Sequence, residues 1–385
     1  MRALLHLSAA AVTVAACTEA PVATGVLVPA PVFNAEAAAL GNAAVYWNGI
    51  ARGLVAKTNT SAPAAIRGFA LVALAQHNAA ASVQERSVHS AISAASVATL
   101  SYLFPAEQPA LETLLQQYLA NARPQHEITG GEAAGRAAGN RVAAYGQTDR
   151  FFVPWTGTVP VGPGIWFSSV APVGANFGNA KTFFLTTANQ FRPAPHPAFG
   201  SAAFLAALAE VRQISDTRTA EQDSLAKFWN FPGGTYTPAG YWNEEAGRLS
   251  VKYGLNERRS AELFAMMHMV GYDAIVASHE AKYTYWLLRP TMADPVIKLA
   301  MGLPNFPSYP SNHAAISAGM ADVLGSQFPA ERLRLRALAD EAALSRVYGG
   351  IHYRFDGEAG LQLGRQIAQW ALAREPKLHE AFALK

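Results

Sequence analysis

Cysteine is nearly absent from this chain: Cys17 is the only one among 385 residues. No internal disulfide can form, so the fold is held together by non-covalent packing. Charge is scarce too, with Asp, Glu, Lys and Arg making up 15% of the residues. The net charge of +3 at pH 7 comes without any dense basic run. That excludes the concentrated basic face with which proteins bind nucleic acid. Beyond the N-terminus no stretch is apolar enough to cross a bilayer. Strand-like alternation is scarce throughout. His77, His89, His126, His196 and His268 show no ligand spacing such as His-x3-His, so no zinc site is expected.

What the chain has in quantity is apolar side chain, at 51% of residues. That suffices for one large domain or two ordinary ones, and argues against wholesale disorder. The N-terminus reads as an export signal: Arg2 supplies the positive start, and Leu4 to Ala16 is an apolar run too short to span a membrane. The run ends in Val14-Ala15-Ala16-Cys17, which resembles a bacterial lipoprotein cleavage box with Cys17 as the lipidated residue; an ordinary signal peptide ending near a cysteine is the alternative. On the lipoprotein reading, 1–17 is the signal and 18–34, rich in Pro, Val and Ala, is a tether. The protein would be exported and periplasm-facing, touching a membrane only through its lipid anchor.

Helical patterns follow. Leu111, Leu114, Leu115, Tyr118 and Leu119 recur at helical spacing within 109–123, between Pro109 and Pro124, as an amphipathic helix requires. Residues 62–82 and 88–104 are Ala-rich and read as helices. In 131–145, Gly131, Gly135 and Gly139 recur every fourth residue, a small face that would let a neighbour approach closely. Residues 151–200 hold seven prolines and six glycines interleaved with Trp155, Trp166, Phe183 and Phe184, which reads as a long ordered connection seeking burial for its aromatics. Helices resume at 201–213 and 219–230. Pro238 to Asn243 reads as a loop, and a helix capped by Asn256 runs towards Leu288. The whole is an all-α protein in one compact unit: a helical bundle over 35–150, the connection over 151–200 and a second bundle over 201–385.

Three clusters near the C-terminal end concentrate groups suited to an oxyanion. Lys282 and Arg289 are seven apart, two helical turns, so on one helix they share a face that Pro290 terminates. Such a pair alone is compatible with a solvated basic face, but the residues between are Tyr, Thr, Tyr, Trp, Leu and Leu. Next, Tyr309-Pro310-Ser311-Asn312-His313 leads into a small-residue helix. Its N-terminal N–H groups form an anion site, or Ser311 and Asn312 are a plain cap. Finally, Ser345-Arg346 precedes His352 and Asp356. The arginine offers a fork of donors, and a carboxylate four residues on orients the imidazole if the segment turns helically.

Together these clusters resemble the three-part signature, Lys-x6-Arg-Pro, Pro-Ser-Gly-His and Ser-Arg-x5-His-x3-Asp, of the superfamily joining type 2 phosphatidic acid phosphatases, bacterial acid phosphatases and vanadium-dependent haloperoxidases. One position departs: Asn312 stands where the pattern has Gly. The resemblance implies that Lys282, Arg289, Arg346, Ser311 and the backbone at Asn312 hold the oxygens of vanadate or phosphate. His352 would bind vanadium, or attack phosphorus in a phosphatase, with His313 as acid–base group and Asp356 orienting His352. Chain length, predicted helicity and the export signal are similar to the haloperoxidase branch. That implies a vanadate cofactor with halide and hydrogen peroxide as substrates; the alternative is a cofactor-free phosphatase acting on a phosphomonoester. Phe306 falls where that branch carries an aromatic near the halide. His279 falls where it often has Trp, and is either a second pocket base or a polar residue of the helix.

Overall fold

The computed structural model describes residues 41–122 and 126–374; the signal, the tether and Cys17 lie outside them. Thirteen α-helices and no named strand occur among the described residues. The first five are α1 (Ala43–Lys57), α2 (Ala62–Ala81), α3 (Val88–Leu103), α4 (Gln108–Ala120) and α5 (Thr129–Gln147). After the long connection come α6 (Ala202–Thr217), α7 (Ala220–Phe228), α8 (Thr237–Lys252) and α9 (Glu257–Tyr285). The last four are α10 (Pro290–Ala293), α11 (Asn312–Gln327), α12 (Arg332–Tyr348) and α13 (Arg354–Leu372). No helix among the described residues is long and apolar enough to cross a membrane.

Local chemistry explains several boundaries. Asn42 accepts from Val45 N at 3.2 Å to start α1, and Asn256 accepts from Arg259 N at 2.9 Å to start α9, each satisfying a backbone donor that the helix itself cannot. Thr219 and Gln222 form a reciprocal capping box on α7. The glycine face of α5 does what its spacing predicts. A Cβ on Gly135 would lie 2.1 Å from Ala91 O, and one on Gly131 2.0 Å from Ser90 Oγ, so α3 and α5 meet closer than any side chain allows.

The central element is α9, whose buried residues run from Ser260 to Lys282. It packs on α2 from one side and α11 from the other. One apolar cluster, from Ala43 to Ala371, joins the helices before and after the connection.

The connection is ordered by what it buries. Phe151 stacks on Phe177 at 4.1 Å and tilts against Tyr272 at 5.4 Å. Asp273, fully buried on α9, accepts from the N–H groups of Phe183, Phe184 and Leu185 at 2.8, 2.8 and 3.1 Å. Burial pushes its carboxyl up to about 7 against the pull of those donors. An amide there would turn a donor toward N–H groups that need an acceptor. Asp273→Asn should therefore cost about 1–3 kcal/mol and speed hydrogen exchange at 183–185. With its folded pKa raised, the acid contributes stability that is fully present below about 4 and lost as pH rises through about 7. Urea titrations should thus show the larger difference at pH 4; equal stability there, with unchanged exchange, would contradict the anchoring role.

Two expectations need correction. Residues 238–243 are not a loop but the start of α8. Pro238 occupies the first turn, where a missing N–H costs nothing, and a Cβ on Gly240 would sit 2.8 Å from the Tyr236 ring. Nor does the Asn256 helix reach Arg289. It ends at Tyr285, where Trp286 takes a left-handed φ of 53° and its N–H closes on Lys282 O. Lys282 and Arg289 therefore stand on opposite sides of a chain reversal rather than along one helix face.

Candidate oxyanion site

The reversal after α9 sets the geometry. Trp166 N donates to Trp286 O at 2.6 Å and Leu288 N to Gly164 O at 3.0 Å, so the connection pins the chain between Lys282 and Arg289. Arg289 then becomes the N-cap residue of α10. Both cations turn back onto 306–308. Lys282 Nζ donates to the carbonyls of Pro307 and Ser308 at 2.9 and 2.7 Å, and Arg289 Nε to Phe306 O at 3.0 Å. Both lie over the Phe306 ring, at 5.1 and 5.0 Å, an arrangement the ring's quadrupole favours.

Ser311 is the N-cap of α11, its hydroxyl 3.5 Å from Ala314 N. Asn312 and His313 open the helix, and their N–H groups have no intrahelical acceptor. The Asn312 side chain is fully engaged: Oδ1 accepts from Ser278 Oγ and Nδ2 donates to His279 Nε2, each at 2.9 Å. His279 Nδ1 in turn donates to Gly174 O at 3.1 Å. Both ring nitrogens of His279 are therefore occupied, and it lies beside Phe306 with ring centroids 5.3 Å apart. Burial and the neighbouring Lys282 hold it neutral, down to about 3.

His352 lies two residues before α13, and the intervening N-cap residue Tyr353 is extended, so the Asp356 carboxylate in the first turn reaches back to the ring instead of sharing a helical turn with it. His352 Nδ1 donates to Asp356 Oδ2 at 2.7 Å. The same oxygen accepts from Ser308 Oγ at 2.6 Å and Tyr353 N at 3.1 Å. Nε2, the nitrogen bearing the lone pair in this tautomer, faces Arg289 Nη1 at 3.0 Å. Burial, then the positive groups Arg289 and Lys282, keep the imidazole well below its ordinary range, so it is neutral at neutral pH. Burial raises Asp356 to about 6. His313 donates from Nε2 to Trp229 O at 3.0 Å, which makes Nδ1 its basic nitrogen; burial and Arg346 depress it strongly. Arg346 reaches Ser345 Oγ, Met301 Sδ and Ala226 O, and burial lowers it to about 9.

Asn312, His313, Arg346, His352 and Phe306 line one cavity of about 120 Å³. Lys282 and Arg289 act electrostatically on both its histidines. His279 is not among its lining residues. Ser308, Trp229 and Ser278 also fix the site, and no sequence signal singles them out. Among the described residues no group of three His, Cys, Asp or Glu side chains is placed to hold a metal ion directly.

The same architecture is found in solved structures. The chain superposes on the crystal structure of the first bacterial vanadium-dependent iodoperoxidase with a TM-score of 0.74 at 21% identity, over 88% of this chain and 96% of that one. The holo and apo forms of a bacterial vanadium-dependent chloroperoxidase give TM-scores of 0.68 and 0.66 at 14% and 15% identity. They cover 83% and 81% of this chain and 93% of theirs in each case. Residues 327–381 match the family model described as the VCPO second helical-bundle domain. No curated protein matches. The chain thus has the fold of these vanadium-dependent haloperoxidases.

Proposed function

We propose that the protein is a vanadium-dependent haloperoxidase-type enzyme that oxidises halide with hydrogen peroxide. The observation that carries this reading is a surplus of buried donors: Lys282, Arg289 and Arg346 donate only to neutral acceptors, beside an imidazole backed by a carboxylate. Arg289 Nη2 is buried with no acceptor at all. A multiply charged tetrahedral oxyanion supplies the missing acceptors, so vanadate fits the residues present.

In this reading His352 Nε2 is the ligand to vanadium, while Lys282, Arg289, Arg346, Ser311 Oγ and the Asn312 N–H hold oxygens. Bound vanadate supplies a Lewis-acid centre for activating peroxide towards halide. Asp356 keeps the His352 proton on Nδ1, and Ser308 keeps Asp356 in place. His313 takes up or returns a proton at Nδ1. Phe306 screens the cations from water. The same groups would serve a phosphomonoesterase: His352 Nε2 attacks phosphorus as the P–O ester bond breaks, the leaving oxygen takes a proton that His313 Nδ1 has first picked up from solvent, and water then breaks the P–N bond to release phosphate.

One preparation tests the choice. After loading with orthovanadate it is assayed for peroxide-dependent halogenation of an indicator with iodide, bromide and chloride. Without vanadate it is assayed for aryl phosphate hydrolysis. Vanadate-dependent halogenation supports the proposal; hydrolysis alone assigns the site to phosphoryl transfer.

A further inference from the structure

Most of the cavity wall is apolar: Ile66 of α2, Ile275 of α9 and Ile316 of α11, with Pro63, Pro238 and Ala239, while Asn230 is the one polar side chain on the lining besides Asn312, His313, Arg346 and His352. The α2 wall descends from exposed Ala62 through half-buried Pro63 to Ile66, which is 1% exposed, so the apolar stretch is the approach and the histidines are the floor. Among the lining residues there is no carboxylate, no hydroxyl and no lysine. The Asn312 amide is already bonded at both ends, to Ser278 and to His279.

We propose that this approach is a binding compartment for a compact, uncharged aromatic group seated directly beside the oxyanion. It rests on the oxyanion reading of the polar floor. A sugar, nucleotide or other polyhydroxylated group entering here would lose water from several hydroxyls with only the Asn230 amide to partner them on the walls. A single ring loses nothing of that kind. The size sets a limit: an apolar cavity of about 150 Å³ accommodates benzene, and this one measures about 120 Å³ with its polar floor included, so beside an oxyanion nothing larger than a single ring reaching out to the opening is accommodated. For a haloperoxidase the ring is the acceptor of the oxidised halogen, held in the same enclosure as the reacting groups. For a phosphatase it is the ester's leaving group.

Calorimetry with the vanadate-free full chain separates floor from wall, using inorganic phosphate, methylphosphonate and phenylphosphonate, whose C–P bonds resist hydrolysis. Phenylphosphonate should bind at least about tenfold tighter than methylphosphonate, the effect of burying one ring. Ile66→Asn should abolish that preference while leaving phosphate affinity within about twofold; Ile66→Val, which keeps the wall apolar and the packing intact, should retain it. If phosphate binds and the phenyl group adds nothing to wild-type affinity, the apolar wall is packing and the compartment does not exist. If phosphate itself fails to bind, the oxyanion site falls, and the compartment with it.

Discussion

Replacing His352 by Ala should abolish turnover, by about 10³-fold or more, whichever chemistry the site performs. Every other polar group in the cavity works through hydrogen bonds or charge and has neighbours that partly substitute for it. His352 has none: its Nε2 is the lone pair kept basic by a carboxylate on the opposite nitrogen, in a ring kept neutral by burial. His313→Ala is the informative contrast. In the proposed mechanism it moves protons, a contribution of roughly 10²–10⁴-fold, and its ring is tied to a backbone carbonyl rather than to a carboxylate. The His313 variant should retain oxyanion affinity with a changed pH profile. The His352 variant should also hold vanadate less tightly. Calorimetric oxyanion affinity beside kcat decides. Loss of binding in His313→Ala, with binding and activity kept in His352→Ala, would reverse the assignment.

The electrostatics explain why this cluster reads as a ligand site rather than as structural ion pairing. Arg67 is buried with a counter-ion: it sits 2.5 Å from Asp149 and its pKa is raised. Arg52 is buried singly, lowered by burial against the pull of Glu244, and donates to the neutral Asn243 Oδ1. Arg346 is depressed by burial with no charge opposing it. Arg289 and Lys282 share the distant pull of one carboxylate, Asp356, already committed to Ser308, His352 and Tyr353. Unpaired buried cations are costly, and a fold that retains three of them in one place gains from any anion bound there.

Much of this was readable from residue order, and the failures have physical causes. Helix periodicity located most elements because each buries one stripe against a neighbour. The three clusters were legible because their chemistry is local: a cap, an i, i+4 His–Asp pair, and a cation at a helix end. Arg289 was misplaced because its convergence with Lys282 depends on Trp286 adopting a left-handed conformation, which an aromatic residue does not advertise. Residues 238–243 were misread because Pro and Gly punctuate helix starts as well as loops. The partners of Asn312 were invisible, since Ser278 and His279 approach it from a helix more than thirty residues earlier. Nothing in the sequence pairs α2 with the site, yet its Ile66 lines the cavity.

A substitution that removes no polar side chain should nonetheless disable the site: Gly364→Ala. The site's two halves ride on α11, which presents Ser311, Asn312 and His313, and α13, whose start carries Asp356 and follows His352. These helices cross at glycines. A Cβ on Gly364 would lie 2.1 Å from Ala315 O and 2.8 Å from Gly319 N, and one on Gly360 would lie 2.5 Å from Ser311 O. Backbone atoms cannot rotate away as a side chain can, so the helices must separate by about 1 Å. A displacement of that size between reacting groups costs about 10²-fold in rate, and forcing the core open costs about 1–3 kcal/mol. The comparison is Gly53→Ala within α1, where an added Cβ meets no atom within 4 Å. There the better helix former should add up to about 1 kcal/mol of stability and leave kcat unchanged. Urea unfolding and kcat of the two variants test this together. A Gly364→Ala protein as stable and as active as the wild type would mean that the α11–α13 crossing does not set the spacing between the His352–Asp356 pair and the Ser311–His313 helix start.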